Sequence, residues 1–178
     1  DPINYNVSGL NGDNVADPEI PSSTLHQTIF YMRTLKTPPR RNQDDPEVME
    51  GENIFKSIGC VKCHVETMTT GPSEIEALSN KTFHPYTDLL LHDMGAGLDN
   101  GYTEGSALTS EWRTPPLWGL GLQEQSQGGK IFLLHDGRAK TFEEAVSYHG
   151  GEAVNARQNF QALNEADKQK LVTFLKSL

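Results

Sequence analysis

Apolar residues in this 178-residue chain recur at helical spacing in several stretches and alternate convincingly in none. The first helix is predicted over residues 22–35, with one of its two leading serines as the cap, and the proline-rich segment 37–41 ends it. Asp45 is the predicted N-cap of a second helix that ends near Gly59. Within that helix, Gly51 predicts the close approach of another backbone segment.

Three further helical segments are predicted near the C-terminus. Thr141 and Glu144 form a capping box ahead of a short helix, and residues 152–163 continue in helical register. Asn164 is the predicted N-cap of the last helix. The buried stripe of this last helix is predicted to be Ala166, Leu171, Phe174, Leu175 and Leu178. With no convincing strand elsewhere, these segments predict an all-α fold.

The remaining regions predict how the chain is organised. Residues 65–110 lack periodicity and contain glycine-rich turns, so we expect a long functional loop that wraps a cofactor. Residues 1–20 are predicted as an extended polar arm. We divide the chain into an N-terminal arm and helix, residues 1–40, and a domain over residues 41–178. The first part is either a packing extension of this domain or the terminal helix of a preceding one.

The composition excludes two classes of function. The chain is 35% hydrophobic and carries a formal net charge of -9, without a basic stripe, which argues against nucleic-acid binding. No apolar run approaches the length that crosses a membrane as a helix. An acidic surface instead favours a partner protein with a basic docking patch.

The pentapeptide Cys60-Val61-Lys62-Cys63-His64 uses both cysteines and is the attachment pattern of c-type haem. Two thiols at this spacing add across the haem vinyl groups to give thioethers, and His64 then lies where an imidazole nitrogen binds iron. A disulfide and a redox-active dithiol are competing interpretations, whereas a zinc site lacks a second pair of ligands. We therefore predict a cytochrome c-type domain with one haem c, covalently attached through Cys60 and Cys63.

The predicted attachment of haem also indicates a cellular location. Haem is attached to such cysteines outside the cytoplasm, so the expected location is the bacterial periplasm or another exported compartment. The sequence begins with polar residues rather than with a signal peptide, and we expect that a leader has been removed.

The second axial position of the iron separates electron carriers from sites that bind small molecules. Met94 is the predicted ligand because the chain after His64 is long enough to pass around the porphyrin edge, and Gly95 permits close backbone approach. His92 is the alternative. Ligation by a thioether raises the reduction potential. The other residues considered are Met32, Met49, Met68, His26, His84, His135 and His149, of which the last two are expected to make structural hydrogen bonds.

Four further residues are candidates for the haem pocket. Arg113 and Arg138 suit the haem propionates because a guanidinium matches carboxylate geometry. Trp112 and Trp118 offer rings that stack on the haem or an indole N–H that donates to it. Ordinary ion pairs and core packing are equally good interpretations of all four.

Four longer motifs accompany the haem motif. They are His84-Pro-Tyr-Thr-Asp-Leu-Leu-Leu-His-Asp-Met-Gly95, Glu111-Trp-Arg-Thr-Pro-Pro-Leu-Trp-Gly119, Leu134-His-Asp-Gly-Arg-Ala139 and Tyr148-His-Gly-Gly-Glu-Ala153. Together they resemble the C-terminal haem domain of the bacterial di-haem oxidoreductase family, also labelled thiol oxidoreductases and related to the di-haem cytochrome c peroxidases. The resemblance covers residues 28–178.

This resemblance implies a cytochrome c fold, a periplasmic location and Met94 as the distal iron ligand. It also implies that Arg113, Trp118 and Arg138 line the haem pocket. The family carries two haem motifs and this sequence has one, so the activity of the family does not carry over directly.

The preferred functional prediction is a mono-haem module that transfers single electrons to a redox partner protein. An enzyme, either a peroxidase or a thiol oxidoreductase acting on a small substrate, is the second hypothesis. A haem-based sensor or assembly module is the third. Residues 1–40 are, in addition, a candidate element for joining copies of the chain into a homo-oligomer.

Overall fold

The structure is a computed structural model that describes residues 20–178. The chain divides into two units, residues 1–36 and 37–178, so the division falls a few residues before the boundary predicted after residue 40. Most of the predicted polar arm lies outside the described residues. The two units are described separately.

Helix α1, Ser22–Thr34, is the described element of the first unit, and its extent agrees with the prediction. Pro21 occupies the N-cap position and makes no side-chain cap hydrogen bond, so the predicted serine cap is wrong. No residue of α1 is buried. The exposed large apolar residues on and beside this helix are Ile20, Leu25, Ile29, Phe30, Tyr31, Met32 and Leu35.

The second unit is mainly helical. Its α-helices are α2 (Pro46–Ser57), α3 (Gln123–Ser126), α4 (Phe142–Ser147), α5 (Val154–Gln161) and α6 (Glu165–Ser177). Short 3-10 helices cover Cys60–Lys62, Glu76–Leu78, Leu120–Leu122 and Gly151–Ala153. The three predicted caps are confirmed, since the side chains of Asp45, Thr141 and Asn164 each accept a hydrogen bond from a backbone N–H of the first turn. None of the helices in residues 20–178 is long and apolar enough to cross a membrane.

Two short antiparallel ladders correct the all-α prediction. β1 (Met68–Thr69) pairs with β2 (Thr82–Phe83), and β3 (Leu91–Asp93) pairs with β4 (Glu111–Arg113). Strands of two or three residues are too short to show alternation, so their pattern is invisible in sequence. The fold is therefore a helical domain whose long middle loop is held by small ladders.

The core of the second unit lies between α2 and α6. Phe55 and Val48 of α2 are buried, and Leu171, Phe174 and Leu175 are buried on α6. The stripe predicted for the last helix is thus largely confirmed, although Ala166 is exposed and Val172 is buried instead.

Gly51 sets the distance between these two helices. A Cβ atom at this position would overlap the backbone carbonyl of Lys170 and would lie 2.8 Å from the Cβ atom of Phe174. The predicted close backbone approach at Gly51 is therefore confirmed.

The segment before α2 belongs to the same core. The Nη2 atom of Arg40 donates to Glu52 at 2.6 Å, and its guanidinium lies 5.1 Å above the ring of Phe174. Arg41 donates its backbone N–H to the carbonyl of Ser177 at 2.8 Å and its side chain to the carbonyl of Lys176. Both arginines therefore join the start of the second unit to its last helix.

Removal of the Phe174 ring tests the importance of this core. The ring is fully buried and contacts the rings of Phe55 and Tyr86, with centroids 5.2 and 5.7 Å away. Phe174→Ala is expected to lower the free energy of unfolding by about 3–5 kcal/mol, because it leaves a cavity among these rings. Lys176→Ala, an exposed change on the same helix, is expected to stay within about 0.5 kcal/mol. Urea unfolding of both variants measures the difference, and equal losses would contradict the central place of Phe174.

Candidate haem site

A tight turn brings the two cysteines and the following histidine together. The turn begins at Gly59, whose φ of 98° lies in the left-handed region that glycine adopts at low cost. The backbone N–H groups of Cys63 and His64 then both donate to the carbonyl of Cys60, at 3.4 and 3.0 Å. The turn therefore places two sulfur atoms and one imidazole on a single short loop.

The imidazole of His64 is fixed in one tautomer. Its Nδ1 atom lies 3.0 Å from the carbonyl oxygen of Tyr86, and since a carbonyl only accepts, Nδ1 carries the hydrogen. Burial lowers the pKa of His64 to about 4, so the ring is neutral at neutral pH. The Nε2 atom therefore keeps its lone pair, which is the form in which histidine binds a metal.

The acceptor of this hydrogen bond is itself held firmly. Tyr86 is buried and its φ of 54° lies in the left-handed region, which a side chain of this size adopts only under external constraint. The next residue supplies that constraint, because the N–H of Thr87 donates to Val65 at 3.0 Å and its hydroxyl donates to Thr114 at 2.6 Å. The orientation of the His64 ring is thus set by a rigid loop.

Both cysteines are free thiols in this structure. Burial raises the pKa of Cys60 to about 12, and burial also raises the pKa of Cys63. The sites thus disfavour a charged thiolate, which is the species that binds zinc or attacks a disulfide. An uncharged thioether is compatible with the same surroundings.

These residues fit a covalently bound haem. Cys60 and Cys63 would hold it through two thioethers, and His64 would bind the iron through Nε2. The iron of such a group supplies reversible one-electron chemistry, while the polypeptide fixes the ligand and shields it from water. The chain itself provides the orientation, through Tyr86 and the tight turn.

A hydrogen-bonded cluster lies beside Cys63. The Nε2 atom of His92 is 2.8 Å from Asp88, and its Nδ1 atom is 2.9 Å from Glu152. Ligand atoms of Cys63, Asp88 and His92 all lie within 4.8 Å of one another. The hydrogen bond to Glu152, together with that to Asp88, raises the pKa of His92. Because both ring nitrogens are engaged by carboxylates, His92 offers no free nitrogen to iron in this arrangement.

Met94 lies at the end of β3, where the backbone is packed tightly. Its N–H donates to Ser110 at 2.9 Å, which extends the ladder between β3 and β4. A Cβ atom on Gly150 would lie 2.7 Å from the carbonyl oxygen of Met94, and one on Gly151 would overlap the carbonyl of Asp93. The end of β3 and the turn that follows α4 are therefore in direct backbone contact.

The other predicted pocket residues lie in different places. Arg113 is exposed in β4, and the ring of Trp118 lies 5.9 Å from that of Phe83, beside the first ladder. The guanidinium of Arg138 is engaged by Asp136 at 2.6 Å and by the carbonyl of Gly97 at 2.8 Å. The predicted roles of the two arginines toward haem propionates, and of Trp118 in the haem pocket, stay predictions.

Trp112 has a specific partner that the sequence did not indicate. Its ring stacks on the imidazole of His135 with centroids 3.4 Å apart, and its indole N–H donates to the carbonyl of Leu98 at 2.9 Å. In the ladder it lies opposite His92. A structural hydrogen bond was predicted for His135, but among the described residues its ring is held by this stacking instead. Trp112 ties the middle loop to β4.

Three functional positions were missed from sequence alone: Tyr86, Asp88 and Glu152. Two of them lie in the motif 84–95 and the third lies in the motif 148–153, both of which carry the family resemblance. The high frequency of polar residues in these motifs indicated a functional region. It did not specify which atoms form hydrogen bonds.

The mainly helical fold and the His64 turn define a haem-binding redox protein. The sequence profile described as "Di-haem oxidoreductase, putative peroxidase" matches residues 4–178. The chain belongs to this di-haem oxidoreductase family.

Two similar proteins accompany this match: the first supports the family membership, and the second shares the fold. The cytochrome c551 peroxidase of Nitrosomonas europaea is 31% identical over 137 residues, which are 77% of this chain and 34% of that protein. The chain thus spans about a third of the length of this relative. A solved structure of hydrazine synthase from Kuenenia stuttgartiensis shares the fold, with a TM-score of 0.50 and 21% identity over 86% of this chain and 55% of that one.

Proposed function

We propose that this chain carries one haem c, attached through Cys60 and Cys63 with His64 as an axial ligand, and that it transfers single electrons. The observation that carries the proposal is the hydrogen bond from His64 Nδ1 to the carbonyl of Tyr86. An imidazole that binds iron needs a fixed tautomer and a free Nε2 atom. A histidine with a purely structural role needs neither.

The second axial position decides between transfer of electrons and reaction with a substrate. Two residues compete for it: Met94, which is the prediction from sequence, and His149, whose Nδ1 atom is held by a backbone carbonyl. Either residue would occupy the second axial position with a strong ligand, so the coordination of the iron would change little between oxidation states. A small structural change is what rapid single-electron transfer requires.

The chain residues would serve this function by positioning and by excluding water. Phe55 lies next to the proposed ligand, with its ring 6.2 Å from that of His64, and the ring of the buried Tyr86 lies 6.1 Å from that of Phe55. These neighbours would limit the access of solvent to the imidazole when it holds the metal.

The location and the partner follow from the same chemistry. Haem attachment to two cysteines takes place outside the cytoplasm, so we place the protein in the periplasm or another exported compartment. The net charge of -9 favours a redox partner with a basic docking patch. The family profile is described as di-haem, so a second haem carried by a partner protein would be a natural electron donor or acceptor.

A peroxidase is the second candidate function. It is favoured by the name of the Nitrosomonas europaea relative, a cytochrome c551 peroxidase. Reaction with peroxide requires an iron position open to the substrate.

Redox titration and rapid mixing of the haem-loaded protein distinguish the two functions. The electron-transfer proposal predicts a single one-electron transition and no rapid reaction of the ferric form with hydrogen peroxide or of the ferrous form with carbon monoxide. Rapid reaction with either molecule would overturn the electron-transfer assignment and favour the enzyme.

A further inference from the structure

His149 is held in the same way as His64. Its Nδ1 atom lies 2.9 Å from the carbonyl oxygen of Ala145, so Nδ1 carries the hydrogen and donates it. Its Nε2 atom has no hydrogen-bond partner among the described residues. Histidines that bind metals almost always donate their other ring N–H to a carbonyl or carboxylate, which fixes the ring and leaves one nitrogen for the metal.

The remaining histidines of residues 20–178 are less suitable ligands. Both ring nitrogens of His92 are engaged by carboxylates. His84 bonds the hydroxyl of Thr67 at 3.0 Å, and His135 is exposed and stacked on Trp112. His26 is exposed on α1. Besides His64, His149 is thus the histidine that is partly buried, fixed in tautomer and free at Nε2.

The turn that carries His149 is fixed to the neighbourhood of Cys63. Glu152 accepts from the backbone N–H of Asp93 at 3.0 Å and contacts His92, whose other nitrogen belongs to the cluster beside Cys63. Gly150, next to His149, packs against the backbone of Met94. The backbone of this turn is therefore anchored on the element that lies beside the haem-attachment turn.

We propose that His149, rather than Met94, is the second axial ligand of the iron, so that the haem is bound by two imidazoles. The inference rests on the proposed haem site and names its opposite ligand. Each ring is fixed by a backbone carbonyl, which lowers the cost of ordering the ligand. Met94 has a flexible thioether side chain without a comparable orienting hydrogen bond in residues 20–178.

This ligand pair has a functional consequence. Thioether ligation raises the reduction potential of a haem, and replacing the thioether by imidazole removes that effect. The protein is therefore expected to be reduced at a lower potential than a carrier with histidine and methionine ligands. Such a haem delivers electrons to acceptors rather than collecting them from weak donors.

The ferric optical spectrum of the unmodified haem-loaded protein tests this ligand pair without a variant. A low-spin ferric spectrum that lacks the charge-transfer band from thioether to iron supports His149. A spectrum that contains this band overturns the proposal. The assay first requires that haem remains bound to the denatured chain, so loss of the proposed haem attachment is recognised separately from a wrong second ligand.

Two variants and one control then identify the ligand. Met94→Leu is expected to leave the ferric spectrum unchanged. His149→Ala is expected to convert the iron to a form that binds carbon monoxide when reduced, and added imidazole is expected to restore the original low-spin spectrum. His135→Ala, an exposed histidine, serves as the control and should change neither property. The proposal would be overturned if the His149→Ala protein stayed low-spin and did not bind carbon monoxide. It would also be overturned if the Met94→Leu protein bound carbon monoxide when reduced.

Discussion

Replacement of both Cys60 and Cys63 by alanine is expected to abolish covalent haem binding completely. Each thioether needs one sulfur, and the chain contains no other cysteine. The variant should therefore show no haem absorbance in the protein band after denaturation, whereas the unmodified protein retains it. We expect single replacements to retain part of the haem, because one thioether remains.

Lys62→Ala provides a matched control for the cysteine variant. Lys62 lies between the two cysteines and its side chain is exposed, so its removal changes the motif without removing a sulfur or the iron ligand. This protein should carry haem at the level of the unmodified chain. Haem that stays with the denatured double-cysteine variant would show attachment through another residue.

Gly151→Ala is expected to cause the second large effect, by separating the turn after α4 from β3. The φ of Gly151 is 47°, and a Cβ atom would overlap the carbonyl oxygen of Asp93 and lie 2.8 Å from the N atom of Gly95. The left-handed conformation costs alanine about 1–2 kcal/mol, and the steric overlap adds about 1–3 kcal/mol more. Denaturant unfolding should therefore show a loss of about 2–5 kcal/mol.

Gly105→Ala separates the two causes of this loss. Gly105 has a similar φ of 62°, but no atom lies within 4 Å of the position that an added methyl group would take. Its substitution should cost only the conformational part, about 1–2 kcal/mol. If the two variants lose equal stability, the backbone contact between the turn and β3 contributes nothing. We also expect Gly151→Ala, but not Gly105→Ala, to change the optical spectrum, because the turn carries His149.

Local chemistry made much of the helical framework predictable. The caps at Asp45, Thr141 and Asn164 were correct because each depends on a side chain that bonds a backbone N–H two or three residues away. Gly51 was recognised because the absence of a side chain in a helix indicates close packing. The CxxCH motif was recognisable because the whole attachment chemistry lies within five residues.

The parts of the site that were missed depend on contacts between distant residues. The acceptor for His64 is a backbone carbonyl 22 residues away, and a carbonyl has no residue-specific signature. The pairing of Glu152 with His92 joins residues 60 positions apart. The short ladders depend on the same long-range contacts, which explains why a helical pattern gave an all-α prediction.

The iron ligand that spacing predicts, Met94, differs from the one that we propose from the hydrogen bonds, His149. Met94 was favoured because a loop of suitable length precedes it, yet length alone does not orient a side chain. His149 was expected to make a structural hydrogen bond, and its Nδ1 does so with Ala145. The same hydrogen bond is what leaves its Nε2 available, so a structural and a ligand role are compatible in one imidazole.

Intact mass spectrometry of the denatured protein, purified with its native cofactor, most directly tests the claim that this chain carries covalent haem. Covalent attachment predicts a mass equal to that of the 19.7 kDa chain plus one haem, with the added mass lost in the double-cysteine variant. A protein with the mass of the bare chain, purified from cells that attach haem to other cytochromes, would contradict the account.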